Sequence, residues 1–372
     1  MNTVCQPDLC TGCMACMEVC PKDAITIKDS LRAYNAEIDP VKCIGCNLCR
    51  KICQNNRETE LVKPIEWHQG WAEDERVRAG GSSGGAASAL MRAFVKAGGY
   101  ACSCLFRDGE FVFETTHDER ELDRFQGSKY VKSNPRGAYR RVKELLQKGE
   151  KVLFIGLPCQ VAALKIFVGE ELQENLYTVD LICHGTPSPR LLELFLRQYG
   201  RTLKDVKSIR FRVKAGFRVE TDERGVGTPG VTDSYLISFL NGICYTESCY
   251  CCRYARTERA ADITLGDSWG TDLAAEEMRQ GISLILCQTE KGVRLMHQAG
   301  LKLLDVDPDR AIRNNAQLQA PTEAPAEKEY FFQAVRSGKR YDRIVFRIYP
   351  KRSLKETHKK FLIHMHLYRG RV

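Results

Sequence analysis

The sequence lacks the features that mark several classes of protein. No stretch approaches the roughly 18 continuous apolar residues of a membrane-spanning helix, so no such span is predicted. The first ten residues do not resemble a signal peptide, which predicts a reducing, cytoplasmic location without disulfides. There is no Walker A motif and no Gly-x-Gly-x-x-Gly after a clear strand. No basic motif interleaved with aromatic residues indicates nucleic-acid binding.

Cysteine, by contrast, is abundant and strongly patterned. Nine of the first 53 residues are cysteines, and eight of them form two copies of Cys-x2-Cys-x2-Cys-x3-Cys. This spacing is typical of 4Fe-4S clusters, because three thiolates on one loop bind three irons and the fourth binds the neighbouring cluster. We therefore assign one cluster to Cys10, Cys13, Cys16 and Cys53. The other is assigned to Cys43, Cys46, Cys49 and Cys20.

Three details of this segment lie outside the ligand pattern. Gly12 and Gly45 occupy the same place in the two loops, where a positive φ is expected. Gln54 replaces the proline that follows the first copy, without removing a ligand. Cys5 is predicted to be a free thiol. Zinc is the alternative metal, although it usually takes two separated Cys-x2-Cys pairs.

The excess positive charge is confined to the C-terminal part of the chain. Residues 327–372 hold 13 Lys and Arg against four Asp and Glu, whereas the first 326 residues hold 43 of each sign. Apolar and basic side chains alternate here at near-helical spacing: Leu354, Lys355, Lys359, Lys360, Phe361, Leu362, Met365, Tyr368 and Arg369. The pattern predicts a basic amphipathic helix that either docks on an acidic partner or an anionic membrane surface, or packs on the body.

Two segments rich in glycine and serine are candidate cofactor loops. The first precedes a predicted helix at 87–96 and consists of Gly80, Gly81, Ser82, Ser83, Gly84 and Gly85. Free backbone N–H groups and the helix dipole favour a phosphate there, although a flexible turn is the alternative. The second segment ends in Ser128, Lys129 and Tyr130. It either covers a nucleotide or flavin ring or is a surface turn.

Residues 137–300 alternate between predicted helices and strands, which is typical of a mixed or parallel α/β sheet. Two predicted strands, at 152–157 and 177–183, lead to Cys159 and Cys183. Because sites in such sheets gather at the carboxyl ends of strands, these cysteines are expected to face one crevice. With Cys249 and Cys252 they make four thiolates, the ligand set of a third cluster. Alternatively, the first two are buried residues and the pair holds zinc or nothing.

Five motifs lie within residues 70–310, at 80–87, 127–133, 156–160, 183–189 and 261–270. Together they resemble the family of coenzyme F420 hydrogenase/dehydrogenase beta subunits. With the cysteine pattern, the resemblance predicts an α+β ferredoxin-like two-cluster module fused to a mixed α/β flavin-binding body. The predicted divisions are the module at 1–58, a linker at 59–78, the two parts of the body at 79–170 and 171–310, and a basic extension at 311–372.

The resemblance also implies cofactors and their contacts. It implies FAD, a 4Fe-4S cluster beside the flavin, and hydride exchange with reduced coenzyme F420. Cys159, Cys183, Cys249 and Cys252 become the ligands of this third cluster, and the two loops become flavin contacts. Cys251 leaves open which cysteines of the last pair are ligands. Leu157 stands in place of the family's threonine, which removes a hydroxyl contact.

The predicted function is that of an oxidoreductase working with a redox partner protein or complex subunit. A hydride carries two electrons and each cluster accepts one, so a flavin is expected between the hydride donor and the clusters. His184 and Asp267 are candidates to hydrogen-bond the flavin or relay a proton, or else are turn residues. One alternative is a ferredoxin-dependent reductase of a cell-envelope sugar or other metabolite. Another is an electron-transfer module of a larger complex, with no hydride donor of its own.

Overall fold

The protein is described by a computed structural model that covers residues 2–214, 216–222 and 226–367. Its first part carries the two cysteine motifs on two short helices and a two-stranded antiparallel sheet. In chain order these elements are α1 (Ala15–Val19), β1 (Ile25–Asp29), β2 (Tyr34–Ile38) and α2 (Leu48–Ile52). Apolar side chains of the strands pack against the cysteines, so the thiols occupy the interior of this small module.

The two cysteine loops share one backbone conformation. Gly12 and Gly45 have φ angles of 73° and 72°, which confirms the positive φ expected at both positions. Met14 and Asn47, the residues before α1 and α2, are both left-handed, with φ angles of 61° and 59°. The repeat in the sequence is therefore also a repeat in the structure.

An eight-stranded mixed sheet forms the centre of the body. Its strands are β3 (Glu66–Ala72), β4 (Tyr100–Arg107), β5 (Glu110–Thr116), β6 (Val152–Ile155), β7 (Leu176–Leu181), β10 (Ile263–Asp267), β11 (Ser283–Cys287) and β12 (Leu301–Asp305). Their order is β12-β3-β11-β10-β7-β6-β4-β5, and β8 (Ile209–Val213) and β9 (Gly216–Thr221) form a separate hairpin. Neighbouring strands from β10 to β4 are parallel, whereas the other pairs are antiparallel. The predicted mixed α/β sheet is confirmed.

Helices cover both faces of this sheet. They are α3 (Glu75–Gly80), α4 (Ala86–Lys96), α5 (Ala138–Gln147), α6 (Pro158–Val168), α7 (Pro189–Arg197), α8 (Ser234–Leu240), α9 (Glu247–Tyr250), α10 (Ala275–Gln280), α11 (Glu290–His297), α12 (Pro308–Asn314), α13 (Lys328–Arg336), α14 (Tyr341–Ile348) and α15 (Pro350–His364). Leu153 and Ile155 pack with α4 and α11, whereas Val152 and Phe154 pack with α5 and α6. Alternate residues of β6 thus fill opposite cores, as the pleat of a strand requires.

The body differs from the predicted divisions at both ends. Residues 59–78, predicted as a linker, contain β3 and the start of α3, and β3 lies inside the sheet between β11 and β12. The polar composition was misleading, because partners within the fold satisfy such side chains: Gln69 is 1% exposed and donates to the Asp305 carbonyl oxygen. Within the predicted extension, Phe331 and Phe332 on α13 are buried in the core.

Helix α15 carries the basic segment on the outside of the body. None of its residues is buried, and Leu354, Phe361 and Met365 are 56%, 57% and 52% exposed. These three apolar side chains of the predicted amphipathic helix therefore face outward, whereas Leu362 is half-buried. Residues 368–372, which include the predicted helix residues Tyr368 and Arg369, lie outside the described residues. In the described ranges no helix combines the length and apolar character needed to cross a membrane.

Candidate iron–sulfur and cofactor site

The outer thiol set consists of Cys20, Cys43, Cys46 and Cys49, which line one cavity of about 320 Å³. Cys43 and Cys46 are exposed, whereas Cys49 is buried and Cys20 is half-buried. Cys20 comes from the first repeat and the other three from the second. The structure thus brings together the four thiols assigned to one cluster, including the ligand exchanged between repeats.

The inner thiol set consists of Cys10, Cys13, Cys16 and Cys53, which are all 6 to 7% exposed. Cys13 belongs to the same buried cluster as Tyr139 of α5, so this set lies on the body side of the module. Burial raises the pKa of Cys13 and Cys16. Thiolates this far from water need a nearby cation, and the irons of a cluster provide that charge.

Two residues beside the inner set depart from the sequence pattern. Cys5 is buried against these cysteines, and hydrogen bonds with the thiols of Cys10 and Cys53 lower the pKa of Cys5. Gln54, at the proline position, is fully buried. Its Nε2 donates to Thr11 Oγ1 at 3.2 Å and its Oε1 accepts from the Tyr254 hydroxyl at 2.5 Å. Gln54 therefore joins the ferredoxin module to the segment that follows Cys252.

The body thiol set consists of Cys159, Cys183, Cys249 and Cys252. Cys159 lies in the first turn of α6, Cys183 just beyond β7, Cys249 in α9 and Cys252 two residues after that helix. Burial raises the pKa of Cys183 to about 12, with further contributions from Cys249 and Cys252. Burial also raises the pKa of Cys159. Lys132 opposes this shift, whereas Cys252 and Cys183 add to it. Cys183 and Cys252 act on Cys159, and Cys249 acts on Cys183 and Cys252, so the four thiols lie near one another.

Hydrogen-bond donors favour thiolate at this group. The Thr186 backbone N–H lies 3.4 Å and the Thr246 hydroxyl 3.5 Å from Cys249 Sγ. Although burial opposes the change, Lys132 and these donors lower the pKa of Cys249. Cys251 is exposed, and its thiol donates to the Glu247 carbonyl oxygen at 3.7 Å. This geometry favours Cys249 and Cys252 over Cys251 as members of the set.

The spacing of the thiols differs from that of a single-metal site. Among the residues described, no three His, Cys, Asp or Glu side chains are placed to hold one metal ion. In a cubane each thiolate binds a different iron, so its four ligands do not converge on one point.

A cavity of about 530 Å³ opens beside the body thiol set, at the carboxyl ends of β6, β7 and β10. Its size falls within the range of about 300 to 1,000 Å³ that small-molecule and cofactor sites occupy. Most of the predicted flavin contacts line it: Gly81, Ser82, Ser83, Gly85, Ser128, Lys129 and Tyr130. The wall also includes Cys183, His184 and Asp267, so the cavity and the body thiol set share a boundary.

The glycine-rich loop combines residues that face the cavity with residues that pack against the protein. Gly85 has a φ of 83° and starts α4, and Ser82 Oγ accepts from the Ser128 backbone N–H at 2.8 Å. The two predicted loops therefore touch. Gly80 and Gly84 do not line the cavity, because a Cβ on Gly80 would meet Gln126 Oε1 and a Cβ on Gly84 would meet a backbone oxygen of β3. These two glycines pack against the protein instead.

Two cations flank this loop. Lys129 Nζ donates to the carbonyl oxygens of Phe125 and Gln126 at 2.6 and 3.0 Å, and burial lowers the pKa of Lys129 to about 8. Lys214 Nζ donates to the Ser83 carbonyl oxygen at 3.0 Å, and burial lowers its pKa to about 8 as well. Cations and the start of α4 together suit an anionic group such as a phosphate.

The two candidate catalytic residues have different surroundings. Asp267 is held by both terminal nitrogens of Arg212, at 2.5 and 2.9 Å, so its carboxylate is committed to this ion pair. His184 is exposed toward the cavity, and the surrounding protein still lowers its pKa by desolvation. Arg212 lowers this pKa further, whereas Asp267 opposes the shift. His184 is therefore a neutral imidazole near pH 7.

Aromatic side chains form the remaining wall. Tyr130 stacks on Phe239 with ring centroids 4.4 Å apart and planes at 16°. The Arg212 guanidinium lies 5.4 Å from the Trp269 ring and 5.1 Å from the Phe217 ring. Flat apolar surfaces next to cations suit a planar ring that carries a charged tail.

Sequence reasoning missed Arg212, Gln54 and Lys132 as site residues. Arg212 lies in a hairpin with no motif, so no local signal pointed to it. Gln54 was visible as a departure from the repeat, and Lys132 lies two residues after Tyr130 within a motif. The sequence does not show which residues contact these three side chains, because their partners lie far away along the chain.

Comparison with known proteins agrees with this architecture. A family model of coenzyme F420 hydrogenase/dehydrogenase, which describes the C terminus of the beta subunit, matches residues 149–308, and a 4Fe-4S dicluster domain matches residues 9–56. The F subunit of the F(420)H(2) dehydrogenase of Methanosarcina mazei is 24% identical over 298 residues, which cover 72% of this chain and 79% of that protein.

A solved structure shares the fold. A chain of the F420-reducing NiFe hydrogenase complex from Methanosarcina barkeri superposes with a TM-score of 0.50 at 19% identity, covering 71% of this chain and 93% of that one. At this identity the likeness concerns the fold alone. The dicluster match supports iron–sulfur clusters in the first module. The chain carries a 4Fe-4S dicluster domain followed by a region that matches the C terminus of coenzyme F420 hydrogenase/dehydrogenase beta subunits, and it is an iron–sulfur electron-transfer protein of the oxidoreductase class related to those subunits.

Proposed function

We propose that this chain is an iron–sulfur flavoprotein subunit that exchanges electrons between a hydride carrier, coenzyme F420 or a similar molecule, and one-electron carriers. The observation that supports this most is the shared wall at Cys183, which belongs both to the body thiol set and to the 530 Å³ cavity. When bound, a flavin in the cavity and a cluster on the body thiol set supply the exchange between two-electron and one-electron steps.

The residues of the chain have distinct tasks in this proposal. The glycine-rich loop, Lys129 and Lys214 hold the anionic part of the flavin. Tyr130 and its aromatic neighbours hold the ring and keep water out. His184, neutral near pH 7, accepts or donates a proton at the open side of the cavity.

The thiol sets follow one another from the cavity to the surface. Cys183 lines the cavity, and Cys159 lies close enough to Cys13 for that thiolate to contribute to the raised pKa of Cys159. The outer thiol set then reaches the surface, where Val41 and Ile44 are 92% and 61% exposed. We propose that the redox partner, a protein or a subunit of a larger complex, docks at this outer set.

Iron and flavin content tests the proposal. Anaerobically purified protein should hold about twelve irons, four for each of three clusters, and one extractable FAD. Cys252→Ser should reduce the iron to about eight per chain, whereas Cys251→Ser, its neighbour in sequence, should leave it unchanged. About eight irons in the wild type with no flavin would contradict the proposal and favour an electron-transfer module without its own hydride donor.

The hydride carrier is tested separately. Reduced coenzyme F420 added to the anaerobic protein should bleach the flavin absorbance, and Arg212→Gln should slow this step by disturbing Asp267 and His184. If neither reduced F420 nor NAD(P)H bleaches the flavin, while dithionite-reduced ferredoxin does, the alternative of a ferredoxin-dependent reductase gains support.

A further inference from the structure

Lys132 is a buried cation that contacts both the ferredoxin module and the body. Its side chain is 5% exposed. Its Nζ donates to the Thr11 carbonyl oxygen at 3.0 Å, within the loop that joins Cys10 to Cys13. Its backbone N–H donates to the Pro187 carbonyl oxygen at 2.9 Å, in the segment that follows Cys183. Lys132 is thus anchored between the inner thiol set and the body thiol set.

No carboxylate balances this charge. None of the ion pairs among the residues described includes Lys132, and the nearest aromatic contact is the Tyr34 ring, whose centroid lies 5.2 Å from Nζ. A buried cation without a counter-ion is unfavourable. The charge of Lys132 acts on thiols instead, since it opposes the rise in pKa that burial causes at Cys159 and Cys183 and contributes to the lowered pKa of Cys249. Anionic clusters on both sides would neutralise it.

We propose that Lys132 raises the reduction potentials of two clusters, the one on the inner thiol set and the one on the body thiol set. A cluster becomes more negative when it accepts an electron, so a fixed cation beside it stabilises the reduced form and raises its potential. The Lys132 ammonium contacts the loop of the inner thiol set directly, and its charge also favours the thiolate forms of Cys159, Cys183 and Cys249, so one side chain acts on both clusters. The part that concerns the body cluster rests on the proposed function, whereas the part that concerns the inner ferredoxin cluster does not.

The test is a redox titration of the full chain, purified anaerobically and followed by EPR. Lys132→Met should shift the inner ferredoxin cluster and the body cluster to more negative potentials. The cluster of the outer thiol set, identified by the change that Cys46→Ser causes in the spectrum, should keep its potential and serves as the internal reference. Lys132→Arg, which keeps the charge, should retain most of the wild-type potentials.

Two further variants separate charge from structure. Lys132→Gln keeps a donor for the Thr11 carbonyl oxygen and loses the charge, so it should shift the potentials as Lys132→Met does, even if the Met variant loses cluster or fold. Lys129→Met removes a half-buried lysine that lines the cavity, and it should leave the potential of the inner ferredoxin cluster unchanged.

The outcomes distinguish the two proposals. The role of Lys132 would be overturned if Lys132→Gln, with full iron content, left the potentials of the inner ferredoxin cluster and the body cluster unchanged. A wild-type protein with about eight irons would overturn the third cluster. In that case, a negative shift of the inner ferredoxin cluster in Lys132→Gln would still support Lys132, and the absence of a shift would refute it.

Discussion

Replacing Gln54 with proline restores the repeat in the sequence, and we expect it to weaken the protein. Cys53, before Gln54, has the same extended backbone as Cys20, which precedes Pro21, with ψ angles of 119° and 114°. The backbone before the new proline is therefore compatible with it. The glutamine side chain, however, would be lost from a buried site where its Oε1 accepts a hydrogen bond from the Tyr254 hydroxyl at 2.5 Å.

The magnitudes decide the sign of this change. A proline that fits its site stabilises by about 0.4 to 1 kcal/mol through the unfolded state. An unpaired buried hydroxyl costs about 1 to 3 kcal/mol, and Tyr254 is 2% exposed. We therefore expect a net loss of about 1 to 2 kcal/mol, which lowers Tm by about 1 to 3 °C in a chain of 372 residues.

Anaerobic thermal unfolding of the cluster-loaded protein at a fixed scan rate measures this loss. The control is the same substitution in a Tyr254→Phe background, where no hydroxyl is left to be orphaned. There the proline should be neutral or slightly stabilising. An equal loss in both backgrounds would refute the explanation, because the cost would then arise from the backbone or from Thr11.

Three further predictions concern other parts of the molecule. Gly84→Ala should lower stability by about 1 to 3 kcal/mol, because the new Cβ would meet a fixed backbone oxygen. Gly80→Ala is the control and should change stability little, because its Cβ would meet only the movable end of a glutamine side chain. Arg212→Gln should raise the pKa of His184, since Asp267 is then unopposed, which NMR of the imidazole protons would measure. In the wild type the folded state binds a proton on His184 more weakly than the unfolded state does, so stability should fall as the pH drops through about 6.5. This fall should be smaller in Arg212→Gln. If α15 docks on a membrane surface through its lysines, Phe361→Glu should abolish co-sedimentation of the protein with anionic vesicles. Binding of the wild type to neutral vesicles alone would contradict a role of the lysines in docking.

Local patterns in the sequence were enough to predict several parts of the fold. Spacing of two and three residues sets the shape of a cysteine loop, and the positive φ at Gly12 and Gly45 follows from the same local geometry. The predicted helix at 138–148 corresponds to α5, and the predicted strand at 152–157 to β6, because their apolar periodicity reports burial. The polar strand β3 was missed, because hydrogen bonds within the sheet, rather than apolar side chains, satisfy Gln69.

The sequence by itself determined the two cysteine loops, the alternation of helices and strands, and the family motifs, since each depends on residues close together in the chain. Only the tertiary structure decided which distant side chains meet. It brought Cys159 near Cys183 and Cys252, paired Arg212 with Asp267, and placed Lys132 between two thiol sets. Such contacts join residues that lie tens to more than a hundred positions apart, and they form only when the strands and loops that carry them pack into one body.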